Sequence, residues 1–306
     1  MVECYHILYI NTILFAQTIS VKKSVYILMA LICIVPAFFV LGGFQKAPQE
    51  SSEISGKAAV TIDLPIIMYH NILKSRTGKY VVSPKQLEAD FIALNEKGYT
   101  TVFMSQVIDW VDGKGTLPEK PVVITFDDGH YNNLHYGLEI AKKHNIKFMI
   151  NPVTSFSKFT TDTGDHSNPN YSHITWEQMK QAVESGHIEF GNHTHAMHKF
   201  TPRFGVEQVS GESFEDYANV FKKDINRAQE LLTSSGVPEP KTFAYPFGKY
   251  SRQSRELLVD MGFRALLTCN EKNNKIVQGD PTTLHSLGRY NRAGGISTEK
   301  LLKKIS

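Results

Sequence analysis

The chain has 306 residues, 42% hydrophobic and 21% charged, with 21 Gly and 13 Pro, a composition that suits a folded protein and excludes a disordered or fibrous one. Its 33 basic and 30 acidic residues leave a net charge of +3, too slight for a nucleic-acid surface, so no nucleic-acid partner is expected. Only Cys269 follows Cys33, so no disulfide framework can staple the later part of the chain and its stability has to come from a core.

Residues 1–24 read as a short cytoplasmic segment; its apolar stretch HILYINTILFAQ is an unusual preface, which suggests that translation starts near Val21. Residues 25–44 (VYILMALICIVPAFFVLGGF) carry no charge over a length that, at about 1.5 Å per residue, spans about 30 Å of hydrocarbon. Lys22 and Lys23 precede this run, so it is expected to cross a cell membrane once and leave everything after Phe44 extracellular. Cleavage of the same run as a signal peptide would release a secreted protein. Residues 45–62 are polar and small, a linker, and residues 63–306 form the remaining domain.

Within that domain, short β-branched runs alternate with stretches of helical period. Strands are expected at Leu64 to Met68, Tyr99 to Phe103, Pro121 to Phe126, Ile146 to Ile150, Ile188 to Phe190, Thr242 to Tyr245, Arg264 to Thr268 and Leu284 to Leu287. Ser83 caps a helix through Lys97, Ser105 and Thr175 open two more, and Phe214 to Leu232 and Arg255 to Met261 end before Gly236 and Gly262. The alternation implies one α/β domain with parallel strands, whose function sits at the strands' C-terminal ends.

Two strand ends carry chemistry. VVITFDDGH closes a buried strand with Asp127 and Asp128, two carboxylates that repel each other unless a cation or a proton resolves the conflict. IEFGNHTHAMH ends another in His193, His195 and His198. Neither helix nor strand spacing brings His193 and His198 to one point, so only an irregular loop lets both converge, and two imidazoles with one carboxylate make a three-ligand metal site with open positions. His195, between them, is expected beside the ligands rather than among them. PIIMYHNI ends a third strand in Tyr69 and His70. The segments 152–172 and 199–212 read as long loops whose Phe156, Phe159, Tyr171 and Phe204 are candidates for stacking on sugar rings, while nothing in the spacing of His166 or His173 marks them as ligands.

TFDDGH with the later His-Thr-x-x-x-His, GHIEFGNHTHAMH and FAYPFGKY resembles the polysaccharide deacetylases, the NodB-homology enzymes of carbohydrate esterase family 4, over roughly Leu64 to the C-terminus. The early Tyr-His is similar to the poly-N-acetylglucosamine deacetylase branch. The resemblance implies a distorted (β/α) barrel in which Asp128, His193 and His198 hold one divalent metal ion, Zn²⁺ foremost, with Co²⁺, Ni²⁺ or Mn²⁺ as alternatives. It makes Asp127 the general base toward a metal-activated water, His70 the general acid and the Phe247 backbone N–H the oxyanion donor. Tyr245, Pro246 and Phe247 form its substrate-binding segment. Many members carry an Arg two residues before the motif Pro, where this chain has Ala244. Arg289 is the first candidate to orient Asp127 in its place, and Arg292 the second.

The implied activity is hydrolysis of N-acetyl groups on an extracellular N-acetylglucosamine polymer, poly-N-acetylglucosamine or peptidoglycan, with a membrane but no protein partner. An O-deacetylase of a glycan such as xylan and a non-catalytic glycan binder on the same fold are the alternatives. Glycosidase chemistry needs two carboxylates at least about 5 Å apart across a bond, and adjacent Asp127 and Asp128 do not suit it.

Overall fold

The structure, a computed structural model, describes residues 59–306, so the expected cytoplasmic segment, membrane helix and most of the linker lie outside the described residues. Among the described residues no helix is long and apolar enough to cross a membrane. The first strand, β1 (Thr61–Leu64), begins inside the expected linker, where Leu64 is buried and Ile62 packs beside it. Next come β2 (Ile66–Tyr69), wholly buried, and the short parallel pair β3 (Asn71–Ile72) and β4 (Val81–Val82). Helix α1 (Pro84–Glu96) is capped by the Ser83 hydroxyl, which accepts the Gln86 N–H, and buries Leu87, Phe91 and Leu94.

After β5 (Thr100–Thr101), helix α2 (Met104–Val111) starts one residue before Ser105; Gln106 Oε1 accepts the Phe103 N–H at 3.1 Å, but Phe103 offers no side-chain acceptor to the first turn. Its first N–H groups donate to the Glu189 carboxylate instead, Met104 N at 2.5 Å and Ser105 N at 3.4 Å. β6 (Pro121–Asp128) is buried along all but its last residue. A π-helical turn at Asn133–Leu138 leads into α3 (Glu139–His144), then β7 (Phe148–Pro152). The expected loop 152–172 in fact contains α4 (Thr154–Thr163). No apolar stripe announced it, because its buried face is Thr154, Ser157 and Thr160.

The remaining elements are α5 (Trp176–Glu184), capped by Thr175, β8 (Ile188–Phe190), α6 (Phe214–Ser234), β9 (Thr242–Ala244), α7 (Arg252–Asp260), β10 (Ala265–Leu267), β11 (Asn274–Val277), β12 (Tyr290–Asn291) and α8 (Thr298–Ile305). The expected strand Leu284 to Leu287 is a tight helical turn, Pro281–Leu284, capped by Asp280, and only Leu287 reaches a strand partner.

The central sheet runs β12–β2–β6–β7–β8, all parallel, with β5 against the start of β6. β9 and β10 form a separate parallel pair, linked to the rest through the single bridges Asn192–Phe243 and Leu267–Leu287. The expected α/β layout is present, but among the described residues the hydrogen-bonded ring of a closed barrel is not. Bonding narrows to one bridge on each side of β9–β10, where the chain leaves strand geometry around His193 and before Arg289. Outside this arrangement β1 and β11 pair antiparallel.

Side-chain alternation along β6 sorts its residues. Val122, Ile124 and Phe126 face one core with Leu87 and Phe148, while Val123 joins the other with Leu64 and Ala244. By the same alternation Thr125 and Asp127 share the face of Val123. That places a carboxylate inside the fold at the C-terminal end of the sheet.

Candidate active site

His70, Asp127, Asp128, His193, His198 and Phe247 line one cavity of 860 Å³, in the range of small-ligand sites, at the C-terminal ends of β2, β6, β8 and β9. The backbone there is held in unusual conformations. Asp128, Thr194 and Phe247 have φ of 71°, 74° and 58°, and among the described residues the one other non-glycine residue with positive φ is Asn145, which ends α3. Such conformations cost about 1–3 kcal/mol each and persist where surrounding contacts enforce them. At Thr194, a β-branched residue, the enforcing contacts are visible: Asn192 Oδ1 accepts its N–H at 2.8 Å and its carbonyl accepts from Thr154 N at 3.1 Å. The Asp224 carboxylate, reaching over from α6, accepts His195 N and Ala196 N at 2.8 and 2.9 Å. These clamps make the loop irregular, and the irregularity turns His193 and His198 onto one point.

Both imidazoles face Asp128 Oδ1, His193 Nε2 at 3.7 Å and His198 Nε2 at 3.3 Å, and one ligand atom from each of the three residues lies within 4.8 Å of the others. His193 Nδ1 donates to the Ala244 carbonyl at 2.7 Å, which leaves Nε2 as the lone-pair nitrogen facing the carboxylate. Burial pushes the His193 imidazole down to about 4, so it is neutral near pH 7, as a ligand has to be. Asp128 Oδ1 is buried without a hydrogen-bond partner among the described residues. A bare carboxylate oxygen facing two imidazole nitrogens fits a divalent cation, and the N₂O donor set suits zinc and its first-row neighbours.

Asp127, next in the chain, points elsewhere. Its Oδ1 accepts from Arg289 Nη1 at 2.8 Å and from Asn151 Nδ2 at 2.9 Å, and its Oδ2 accepts from Arg289 Nη2 at 2.8 Å. Three of the four lone-pair positions are filled, and the one that remains is on Oδ2. Burial would raise this carboxyl, but the Arg289 guanidinium, followed by the nearby imidazoles, holds it well below the usual carboxylate range. Arg289 is itself fully buried and fixed by Nε on the Thr268 carbonyl and Nη1 on Thr125 Oγ1. Arg292, the second candidate, lies on a different carboxylate, Asp90.

His70 follows β2, with its ring 4.7 Å from that of Tyr80 and its Nδ1 buried without a partner among the described residues. Burial lowers its imidazole, against the opposing pull of Asp127 and Asp128. Of the expected substrate segment only Phe247 reaches the cavity. Tyr245 is buried in a cluster with Tyr217 and Phe243, and Pro246 is also buried, because the left-handed turn at Phe247 swings only that ring outward. Among the loop aromatics Phe204 lines the cavity, Phe156 packs on His173 at 4.9 Å, and Phe159 and Tyr171 are exposed away from it. His195 Nδ1 pairs with Thr154 Oγ1, and neither it nor His166 or His173 belongs to the cluster of possible ligands.

Sequence reasoning missed Asn151, Asn192, Asp224 and His130. Asn151 sits opposite Asp127 in the β6–β7 register, and Gly191 leaves room for it, since a Cβ there would fall 2.2 Å from Asn151 Oδ1. His130 lies 3.5 Å from Asp128 Oδ2 and 2.8 Å from Asn71 Nδ2. The Ile72 N–H and Pro169 carbonyl fix the Asn132 amide, which fixes Asn71 in turn, so His130 Nε2 accepts and its proton sits on Nδ1. Register pairing across strands was the one signal that could have exposed Asn151.

A two-histidine, one-aspartate cluster that could hold a metal ion thus lies beside an ionised, arginine-bound carboxylate, an arrangement compatible with a hydrolase. Residues 114–266, half of the chain, match the polysaccharide deacetylase family model, and the chain belongs to that family. His70 and Arg289 lie outside the matched span. The poly-beta-1,6-N-acetyl-D-glucosamine N-deacetylase of Staphylococcus aureus (strain MRSA252) is 25% identical over 193 residues, covering 63% of this chain and 62% of that protein. The chain thus spans less than two thirds of that curated relative. Among solved structures, the Streptococcus pyogenes deacetylase PplD in complex with acetate superposes with TM-score 0.65 at 21% identity, over 81% of this chain and all of that one. A de-N-acetylase from Aggregatibacter actinomycetemcomitans gives TM-score 0.68 at 22% identity, over 79% of this chain and all of that one. At these identities the superpositions establish the fold.

Proposed function

We propose that this protein removes N-acetyl groups from a polymer of N-acetylglucosamine by metal-assisted hydrolysis. The observation that carries the reading is the division of labour between neighbouring carboxylates: Asp128 turns an unpartnered oxygen toward two imidazoles, while Asp127 is held ionised with one lone pair free. A divalent ion held by Asp128, His193 and His198, most simply Zn²⁺, supplies an acidified water and an electrophile for the acetamide carbonyl.

The chain's own groups do the rest. Asp127 Oδ2 takes the proton of the attacking water, and Arg289 with Asn151 keeps that carboxylate aimed and charged until it does. The Phe247 N–H, on the left-handed turn at the cavity wall, stabilises the developing oxyanion. His70, across the cavity, once it has taken up a proton, passes it to the departing amine, so that water and amide become acetate and a free amine. Each event converts a neutral acetamide into a group that protonates at neutral pH, and the polymer becomes cationic. The apolar run 25–44 supports attachment of this domain to the outer face of a membrane.

The test is acetate release by residues 45–306 from β-1,6- and β-1,4-linked N-acetylglucosamine oligomers, peptidoglycan and acetylated xylan, after chelation and again after zinc or cobalt is restored. Metal-dependent release from an N-acetylated polymer supports the reading and ranks the substrates. Release from xylan alone would make the enzyme an O-deacetylase, and no release from any of them with metal bound would leave a glycan binder.

A further inference from the structure

Beyond the reacting centre, the cavity has a wall that the mechanism does not use. The Phe247 ring lies 4.4 Å from the His198 ring, and Phe200 and Phe204 stack on Phe247 at 4.6 and 4.9 Å with interplanar angles of 24° and 19°. Phe200 and Phe204 lie 5.6 Å from each other at 21°, so the three near-parallel rings form a compact cluster that meets a candidate metal ligand through Phe247. Phe200, 70% exposed, also lines the cavity, so its ring is open to a ligand there. The cavity lining also holds Lys79, Glu271 and Asn291. Glu271 is pinned there by the Lys304 ammonium at 2.7 Å and the Asn291 N–H at 3.2 Å.

We propose that the Phe200–Phe204–Phe247 stack is a binding platform for a second pyranose ring of the polymer, the neighbour of the sugar whose acetamide reacts. The proposal rests on the deacetylase reading and adds to it the requirement for an oligomer. A β-linked N-acetylglucosamine ring has an apolar C–H face and an edge of equatorial hydroxyls, and the cavity offers both matching surfaces, phenyl faces and the charged or amide groups of Lys79, Glu271 and Asn291. Continuity fixes the position. Phe247 touches His198, where the reacting acetamide has to lie, so Phe200 and Phe204, packed on Phe247, meet the adjoining sugar. A lipid surface would need a protruding apolar patch, whereas these rings line a concavity that also holds charged groups.

The test compares wild type with Phe200→Ala and Phe200→Trp on N-acetylglucosamine oligomers of one to five units and on a small acetyl ester too short to reach residue 200. The expected result is a KM for the tetramer and pentamer raised about three- to tenfold in Phe200→Ala, with the ratio of oligomer to ester kcat/KM falling by the same factor and recovering in Phe200→Trp. An unchanged oligomer KM, or an equal loss on oligomer and ester, overturns the platform. So does an unchanged oligomer KM accompanied by lost binding to anionic phospholipid vesicles, which would make Phe200 a membrane contact. If wild type releases no acetate from any oligomer, the deacetylase reading fails separately. Calorimetric titration with the pentamer then decides the platform: weaker binding in Phe200→Ala supports it, and equal or absent binding overturns it.

Discussion

Two arginines three residues apart each hold a buried aspartate, and the two pairs do different things. Arg292 clamps Asp90 through Nε at 2.6 Å and Nη2 at 2.9 Å, and Tyr69 Oη and Thr298 Oγ1 complete the carboxylate at 3.0 and 2.6 Å. All four lone-pair positions of Asp90 are filled, both side chains are sealed from solvent, and the group ties α1 to the start of α8. Arg289 clamps Asp127 just as closely, yet one position on Oδ2 stays open at a cavity wall. Neither residue type nor burial distinguishes a structural staple from the proposed base. The count of filled acceptor positions, and what the empty one faces, does.

The largest expected effect breaks the staple. Arg292→Leu leaves Asp90 buried and unpaired, which costs about 3–5 kcal/mol and lowers the Tm by roughly 10 °C. Thermal unfolding should show this while kcat, measured well below the transition, stays within about twofold. Loss of kcat without loss of Tm would erase the distinction between the pairs.

Arg289→Met should do the reverse in kind. We expect kcat/KM for acetate release to fall about 100-fold, equivalent to about 2.7 kcal/mol, with a smaller drop in Tm, and Arg289→Lys to recover only part because an ammonium cannot reproduce the bidentate fork. Asn151→Ala removes one charge-assisted hydrogen bond to the ionised Asp127 Oδ1, and a roughly tenfold fall in kcat with unchanged KM is expected from steady-state kinetics.

The smallest effect concerns Glu189, whose carboxyl burial pushes up to about 7 although it caps α2. Because the folded value lies above the unfolded one, its contribution is fully present below about pH 4.5 and is progressively lost as pH rises through about 7. The Tm advantage of wild type over Glu189→Gln should therefore shrink by a few degrees between pH 5 and pH 8. A difference independent of pH would contradict it.

Much of the site was legible because its members end strands. Asp127, Asp128, His193 and His70 each follow an apolar run, and parallel α/β topology gathers such ends at one side. The supports were hidden because they act across the sheet or from another element, as Asn151 does from β7 and Asp224 from α6. A one-dimensional pattern carries no register. Helix α4 escaped for a different reason: its buried face of Thr154, Ser157 and Thr160 is hydroxylic, so the apolar period that marks other helices is missing. Phe200 was passed over because an isolated aromatic in a polar stretch has no meaning until Phe204 and Phe247 stack with it.

The division of labour between the two adjacent aspartates is tested most directly by measuring metal content and acetate release on one sample of Asp127→Asn, beside wild type and His193→Ala. The account predicts close to one divalent ion per chain in Asp127→Asn with acetate release reduced at least about 10³-fold, and loss of both in His193→Ala. Acetate release near the wild-type rate in metal-loaded Asp127→Asn would contradict it.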